Sequence, residues 1–258
     1  MIPTRVIPAL LLRGTGLVKT VRFDQPKYLG DPRNTVKIFN DKEVDELALL
    51  DIRATRDGRD PNYALIREIV DEAFMPVAYG GGLRTVEQAR QMLQMGVEKV
   101  VLNTAAFEQP ELVSRMADRF GSQSVVVSID AKRGFLGRYE IVTHDGTRKQ
   151  KIDPVSFAQT MERAGAGEIF LNSVDRDGTF EGYDVPLIRS VAEAVTIPVV
   201  ACGGASSVDD MVIAVKEGRA SAVAAGSFFV FHGKHRSVLI TYPDAALLRD
   251  KLPHQGEF

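Results

Sequence analysis

Several aspartates sit where short apolar runs stop: Asp51 after ELALL, Asp130 after SVVVSI, and Asp175 and Asp177 in SVDRDGT just beyond EIFLN. A carboxylate at the end of a strand can give or take a proton if it opens onto a cavity. For Asp130 that role is favoured. For Asp51, bracing of neighbouring backbone is equally open. Asp177, followed by Gly178-Thr179, orients a loop as readily as it does chemistry. Between the acids lie two glycine loops, Gly80-Gly81-Gly82 and Gly203-Gly204, and one strand later come Asn103-Thr104 and Gly226-Ser227. Glycines let backbone N–H groups close on an anion, and a hydroxyl completes the grip. One such loop alone could be a plain tight turn. Two copies, each paired with a small or hydroxyl residue on the next strand, point to two phosphate sites, spanned by a ligand with a phosphate at each end.

The loops are copies because the chain repeats. PVAYGGGLRTVEQARQMLQMGVEKVVLNTAAF at 76–107 recurs as PVVACGGASSVDDMVIAVKEGRASAVAAGSFF at 198–229, an offset of 122 positions that also lays Leu65-Ile66-Arg67 on Leu187-Ile188-Arg189. A period near half the length implies two copies of one half-fold. Near its start, where the spacing is 119 positions, the repeat shows a mismatch: the second half carries Asp130 where the first carries Leu11.

The elements that must position these groups are legible as apolar runs. Strands are expected near 5–11, 46–51, 76–80, 98–103, 124–130, 168–173, 198–202 and 221–226, each nearly continuous in apolar residues, as parallel strands covered by helices are. Helical patterns fill most of the gaps, at 61–73, 85–95, 109–120, 154–164, 185–194 and 207–216, several opening on Ser, Thr, Asp or Pro and closing near Gly. Eight β-α units in 258 residues, without a linker, predict one (β/α)₈ TIM barrel over 1–258, built from half-barrels of about 1–120 and 121–258. A doubly wound open sheet is the alternative. Two stretches break the pattern: 13–32, a long Gly-rich basic connection, and 133–152, a hairpin turning at Asp145-Gly146. Both leave the C-terminal ends of strands, where such barrels keep their sites.

Charge also recurs at strand N-termini: Arg5, Glu46, Lys99 and Glu168 all fall at the barrel floor. Two acids and two bases buried together must pair, forming either a plain stabilising ring or a polar plug that opens to pass a small molecule along the axis. Net charge is −2 and the pI about 6.1, so nucleic acid is not a bulk electrostatic partner. The lone Cys202 permits no internal disulfide and fits a reducing, cytoplasmic setting, and no apolar run reaches membrane length. Cys202 reads as a core-like residue, and His144, His232, His235 and His254 as solvated. No spacing calls for a metal or another cofactor.

RVIPALLLR, PVAYGGGL, FGSQSVVVSIDAKR and GAGEIFLNSVDRDGT together resemble the cyclase subunit of imidazole glycerol phosphate synthase over nearly the whole chain. The resemblance implies a barrel with a phosphate site in each half and a glutaminase subunit docked at the floor, whose ammonia crosses the barrel to a phosphorylated substrate. It places an ammonia gate at Arg5, Glu46, Lys99 and Glu168. Phosphate contacts fall at Gly82, Asn103, Thr104, Asp177, Gly178, Gly204, Gly226 and Ser227, and Lys19 lies in a mobile loop after the first strand. The catalytic pair carries over only by half. Asp130 is present, Leu11 stands where the partner aspartate belongs, and a following Asp-Gly has become Gly14-Thr15. Losing one of an acid–base pair removes a step worth about 10²–10⁴-fold. The chain thus resembles the second-copy barrels that serve surface-polysaccharide sugar amidation, with a sugar amidotransferase as a further partner. A genuine histidine-pathway synthase using Asp130 and another acid such as Asp51, and a non-catalytic scaffold that activates a glutaminase, are the competing readings.

Overall fold

The computed structural model describes residues 3–254. In chain order, β1 (Arg5–Arg13) leads into a hairpin, β2 (Gly16–Val21) and β3 (Asp24–Gly30), then α1 (Pro32–Asp41). There follow β4 (Leu47–Asp51), α2 (Tyr63–Glu72), β5 (Val77–Gly80), α3 (Val86–Gln94), β6 (Lys99–Leu102), α4 (Thr104–Glu108) and α5 (Pro110–Phe120). The second half runs β7 (Val125–Arg133), β8 (Tyr139–Thr143), β9 (Arg148–Lys149), α6 (Pro154–Arg163), β10 (Glu168–Ser173), α7 (Val185–Ala192), β11 (Val199–Cys202) and α8 (Val208–Lys216). It closes with β12 (Ala222–Ala225), α9 (Ser227–Val230), a short hairpin of β13 (Phe231–His232) and β14 (Ser237–Val238), and α10 (Ala245–Lys251).

The parallel ladder β1-β4-β5-β6-β7-β10-β11-β12 returns to β1 through Arg5 opposite Ala222 and Pro8 opposite Ala225. Closure leaves no open edge, so the fold is the (β/α)₈ barrel and the doubly wound sheet is excluded. Each expected strand overlaps an observed one. Period-two alternation sends one set of side chains inward, where Ile7, Ala9, Ala48, Ala78, Phe170, Ala222 and their neighbours fill the lumen. The other set packs with the helices into the larger core around Leu10, Tyr79, Met92 and Phe229. Immediately after the two glycine loops, α3 and α8 both open on a capping box, Thr85 with Gln88 and Ser207 with Asp210. Such caps contribute about 1 kcal/mol and fix where each loop must end.

The connection over 13–32 is not an irregular loop. It is the hairpin β2–β3, paired to β1 through Leu11 opposite Val18 and Arg13 opposite Gly16, followed by α1. Its Gly and Lys content reads as loop, yet LVKTV is rich in the β-branched residues that favour strands. The tip, Arg22 and Phe23, has positive φ at both residues. Neither is glycine, and tertiary contacts hold the turn: Arg22 N donates to the Asp177 carbonyl at 2.9 Å and Phe23 N to Asp177 Oδ2 at 3.4 Å. Among the described residues no helix is long and apolar enough to cross a membrane.

Candidate functional site at the barrel mouth

The C-terminal ends of the strands surround a cavity of about 150 Å³, lined among others by Leu11, Leu50, Gly82, Asn103, Asp130 and Asn172. Asp130 is gripped from both sides: Asn103 Nδ2 donates to Oδ2 at 2.9 Å and Asn172 Nδ2 to Oδ1 at 3.4 Å. Burial pushes its carboxyl up to about 7, against the two amide hydrogen bonds that favour the anion. An acid poised there holds or releases a proton near neutral pH.

The mismatch of the repeat is a mismatch of walls. Asp130 lies opposite Asn172 on β10 and Val142 on β8. Leu11 occupies the matching register, opposite Leu50 on β4 and Val18 on β2. One side of the mouth is therefore an acid between two amides, and the other is a pair of leucines.

The remaining acids have other work. Asp51 is buried and accepts the backbone N–H groups of Arg53 and Ala54, each at 3.0 Å, with Arg59 at 3.6 Å. It braces its own loop. Asp175 accepts Arg133 N at 2.6 Å. Asp177 takes Lys19 Nζ at 2.6 Å and Thr20 Oγ1 at 3.1 Å, clamping the β2–β3 hairpin. Sequence reasoning missed Asp145, which was read as a turn residue. The 133–152 excursion folds back so that Asp145 lines the mouth, with burial pushing its carboxyl up and Arg56 3.7 Å away. Asn172 was also missed. Its signal is its place on the next strand end, directly opposite Asp130.

The two glycine loops are built alike but filled differently. Gly81 and Gly203 both adopt positive φ, and a Cβ there would strike the carbonyl oxygen of Asp51 or of Ser173, at 2.5 and 2.7 Å. In the first half, Gly82 and Thr104 line the open cavity, and Asn103 lines it with its amide engaged by Asp130 and the Ser128 carbonyl. In the second half, Lys19 is buried on β2, with Nζ on Asp177, and its stem lies over Gly226 so closely that a Cβ there would meet Cε at 2.7 Å. Only about 10 Å³ remains among Gly178, Gly204 and Ser227, and the buried Ser227 Oγ has no hydrogen-bond partner among the described residues. Lys19 is thus part of the second site's wall, not of a free loop.

At the floor, Arg5, Glu46, Lys99 and Glu168 form one closed ring. Lys99 Nζ reaches both Glu46 oxygens at 2.9 Å and Glu168 at 3.2 Å, and Arg5 bonds Glu46 and, at 3.1 Å, Glu168. Burial disfavours the charge on Arg5, but the Glu168 and Glu46 carboxylates outweigh it and hold the guanidinium protonated. Cys202 is buried at the mouth, which pushes its thiol up to about 12 and leaves it inert. His144 is not freely solvated as expected. It folds inward with its hairpin, its backbone N–H on Thr104 Oγ1 at 3.2 Å and its ring 3.5 Å from Glu108.

Residues 5–236 match the protein family described as histidine biosynthesis protein. A Pseudomonas aeruginosa protein provisionally named imidazole glycerol phosphate synthase subunit hisF2 is 56% identical, over 95% of this chain and 97% of its own length. A Vibrio vulnificus protein with the provisional name subunit hisF3 is 48% identical over 94% of each chain. A Leptospira borgpetersenii protein of the corresponding HisF name is 46% identical over 95% of this chain and 96% of its own.

Proposed function

We infer the function from one premise: the chain belongs to the histidine biosynthesis protein family, among the cyclase subunits of imidazole glycerol phosphate synthase and their second-copy paralogues. We propose that it works as the synthase-side subunit of a glutamine amidotransferase complex, taking ammonia from a glutaminase bound at the floor and releasing it at the mouth. The floor ring supports the gate, since four paired charges close the axis and separating them opens it. The lumen above is lined by apolar side chains, most of them Ala or Val, surroundings that suit neutral ammonia and penalise ammonium.

The observation that carries the reading furthest is the Leu11–Leu50 wall facing Asp130. Ring closure by acid and base needs a second proton-transferring group on that side. Asp51 is held in a bracing role, its Oδ1 accepting two backbone N–H groups with Arg59 beside it. The subunit therefore passes ammonia on, and sugar amidation in surface-polysaccharide assembly, through a separate amidotransferase, is the role we assign. The open first loop, with Gly82 and Thr104, retains a phosphate-sized cradle. A scaffold without ligand has no use for it.

The test is turnover of the phosphorylated ribonucleotide intermediate with ammonium salt. The wild-type protein is expected to fall at least about 10²-fold below a two-aspartate cyclase, and Leu11→Asp to raise activity by about that factor. Wild-type turnover equal to a two-aspartate enzyme would overturn the reading in favour of a histidine-pathway synthase.

A further inference from the structure

Outside the mouth lies a second and larger cavity, of about 750 Å³, that neither the ammonia path nor the glycine loops use. It runs between the turn after β10 and the C-terminal segment that carries the β13–β14 hairpin. Its size falls within the range of about 300–1,000 Å³ common for ligand pockets. Two kinds of side chain line it. Phe180, Phe228, Phe231 and Tyr242 give an aromatic wall, and His232, Lys234 and Arg236 give a basic one.

The basic wall is conspicuous in a chain of net charge −2. The stretch HGKHR at 232–236 holds four basic-type side chains and no acid. Among the described residues no carboxylate lines the cavity. Among the described residues, none pairs with the Lys234 ammonium, and the Arg236 guanidinium meets only the Phe180 ring, 5.1 Å away. Lys27, reaching over from β3, adds a further cation 5.0 Å from the Phe231 ring. The neighbouring Glu181 turns away to Arg176, at 3.6 Å. Charges left unpaired beside aromatic faces are an arrangement that recognises phosphate together with a flat ring.

The backbone is also held for something. Phe180 and Arg236, the pair in contact, both adopt positive φ, at 62° and 50°. Neither is a residue that enters this region without strain, and such strain gathers at binding and switch sites. The cavity shares Phe180 and Phe228 with the wall of the second glycine loop, so an occupant would sit beside that loop and outside the barrel.

We propose that this cavity is a nucleotide site, taking a nucleoside diphosphate with its base against the aromatic wall and its phosphates on Lys234, Arg236 and His232. The assignment does not depend on whether the barrel keeps cyclase activity or relays ammonia.

Isothermal titration of the full chain with UDP, ADP, pyrophosphate and uridine tests it. Saturable binding of at least one nucleoside diphosphate is expected, at least tenfold tighter than uridine or pyrophosphate alone. Lys234→Glu and Arg236→Glu are each expected to weaken it at least tenfold. Lys234 is exposed, so its replacement leaves the fold intact. Phe180→Ala is expected to weaken the nucleotide while leaving pyrophosphate unchanged. No saturable binding at millimolar nucleotide overturns the proposal. So does binding that Lys234→Glu and Arg236→Glu leave unaltered, which would place the ligand at the mouth. Pyrophosphate binding as tightly as UDP, with no effect of Phe180→Ala, overturns the nucleotide assignment and leaves a simple anion site.

Discussion

At the scale of the residue, Asp130 is the carboxyl whose environment brings its titration to neutral pH. Its folded carboxyl, near 7, lies above that of an unfolded aspartate, near 3.9. Between those values the folded protein holds a proton that the unfolded chain has released. Stability therefore falls as pH rises through that window. Asp130→Asn, which cannot ionise, removes that loss. Melting temperatures measured from pH 4 to 8 are expected to show the variant gaining on the wild type as pH increases, with the gain levelling off above about 7. A parallel pair of curves would show that Asp130 ionises freely in the fold. Leu11 is the converse case, a residue whose importance lies in what it does not carry.

At the scale of the element, the β2–β3 hairpin behaves as a strap. It is tied down by the buried Lys19–Asp177 pair and by two backbone donors from its tip. Removing one partner of a buried pair strands the other charge, at a cost of about 3–5 kcal/mol. Lys19→Met keeps the length of the side chain and loses only the charge. The expected result is local release, with the amides of Arg22 and Phe23 exchanging with solvent at least tenfold faster while those of β5 and β6 hold. Uniform loss of protection across the barrel would mean that the hairpin is integral to the core. The Lys19 stem covers Gly226, so lifting of the released hairpin is expected to open the second loop as well.

At the scale of the molecule, the barrel joins a charged floor to a half-polar, half-apolar mouth through an apolar lumen. In a complex reconstituted with the glutaminase proposed as partner, Lys99→Ala leaves two carboxylates facing Arg5 alone and is expected to hold the ring open. The ratio of glutamate formed to nitrogen transferred is then expected to rise above the wild-type value, with Arg5→Ala acting in the same direction. Unchanged coupling in both variants would reduce the ring to a stabilising ion-pair cluster.

Periodicity and the repeat were enough to place eight strands, both glycine loops, the floor charges and the failure of symmetry at Leu11. Each is a local pattern: an apolar run, a glycine cluster, or a strand end matched between the two halves. What they could not contain is contact between residues far apart in the chain. The strap was invisible because its turn lacks glycine and is held by Asp177, more than 150 positions away. Asp145 reads as a turn residue until the hairpin folds over the mouth. Asp51 stays ambiguous until its Oδ1 is seen on two backbone N–H groups, and the aromatic and basic wall forms only where the turn after β10 meets the C-terminal segment. Local residue preference thus determined the scaffold and its inventory of charges. Tertiary packing decided which charges are free, because only a partner brought in from elsewhere tells a committed carboxylate from an available one.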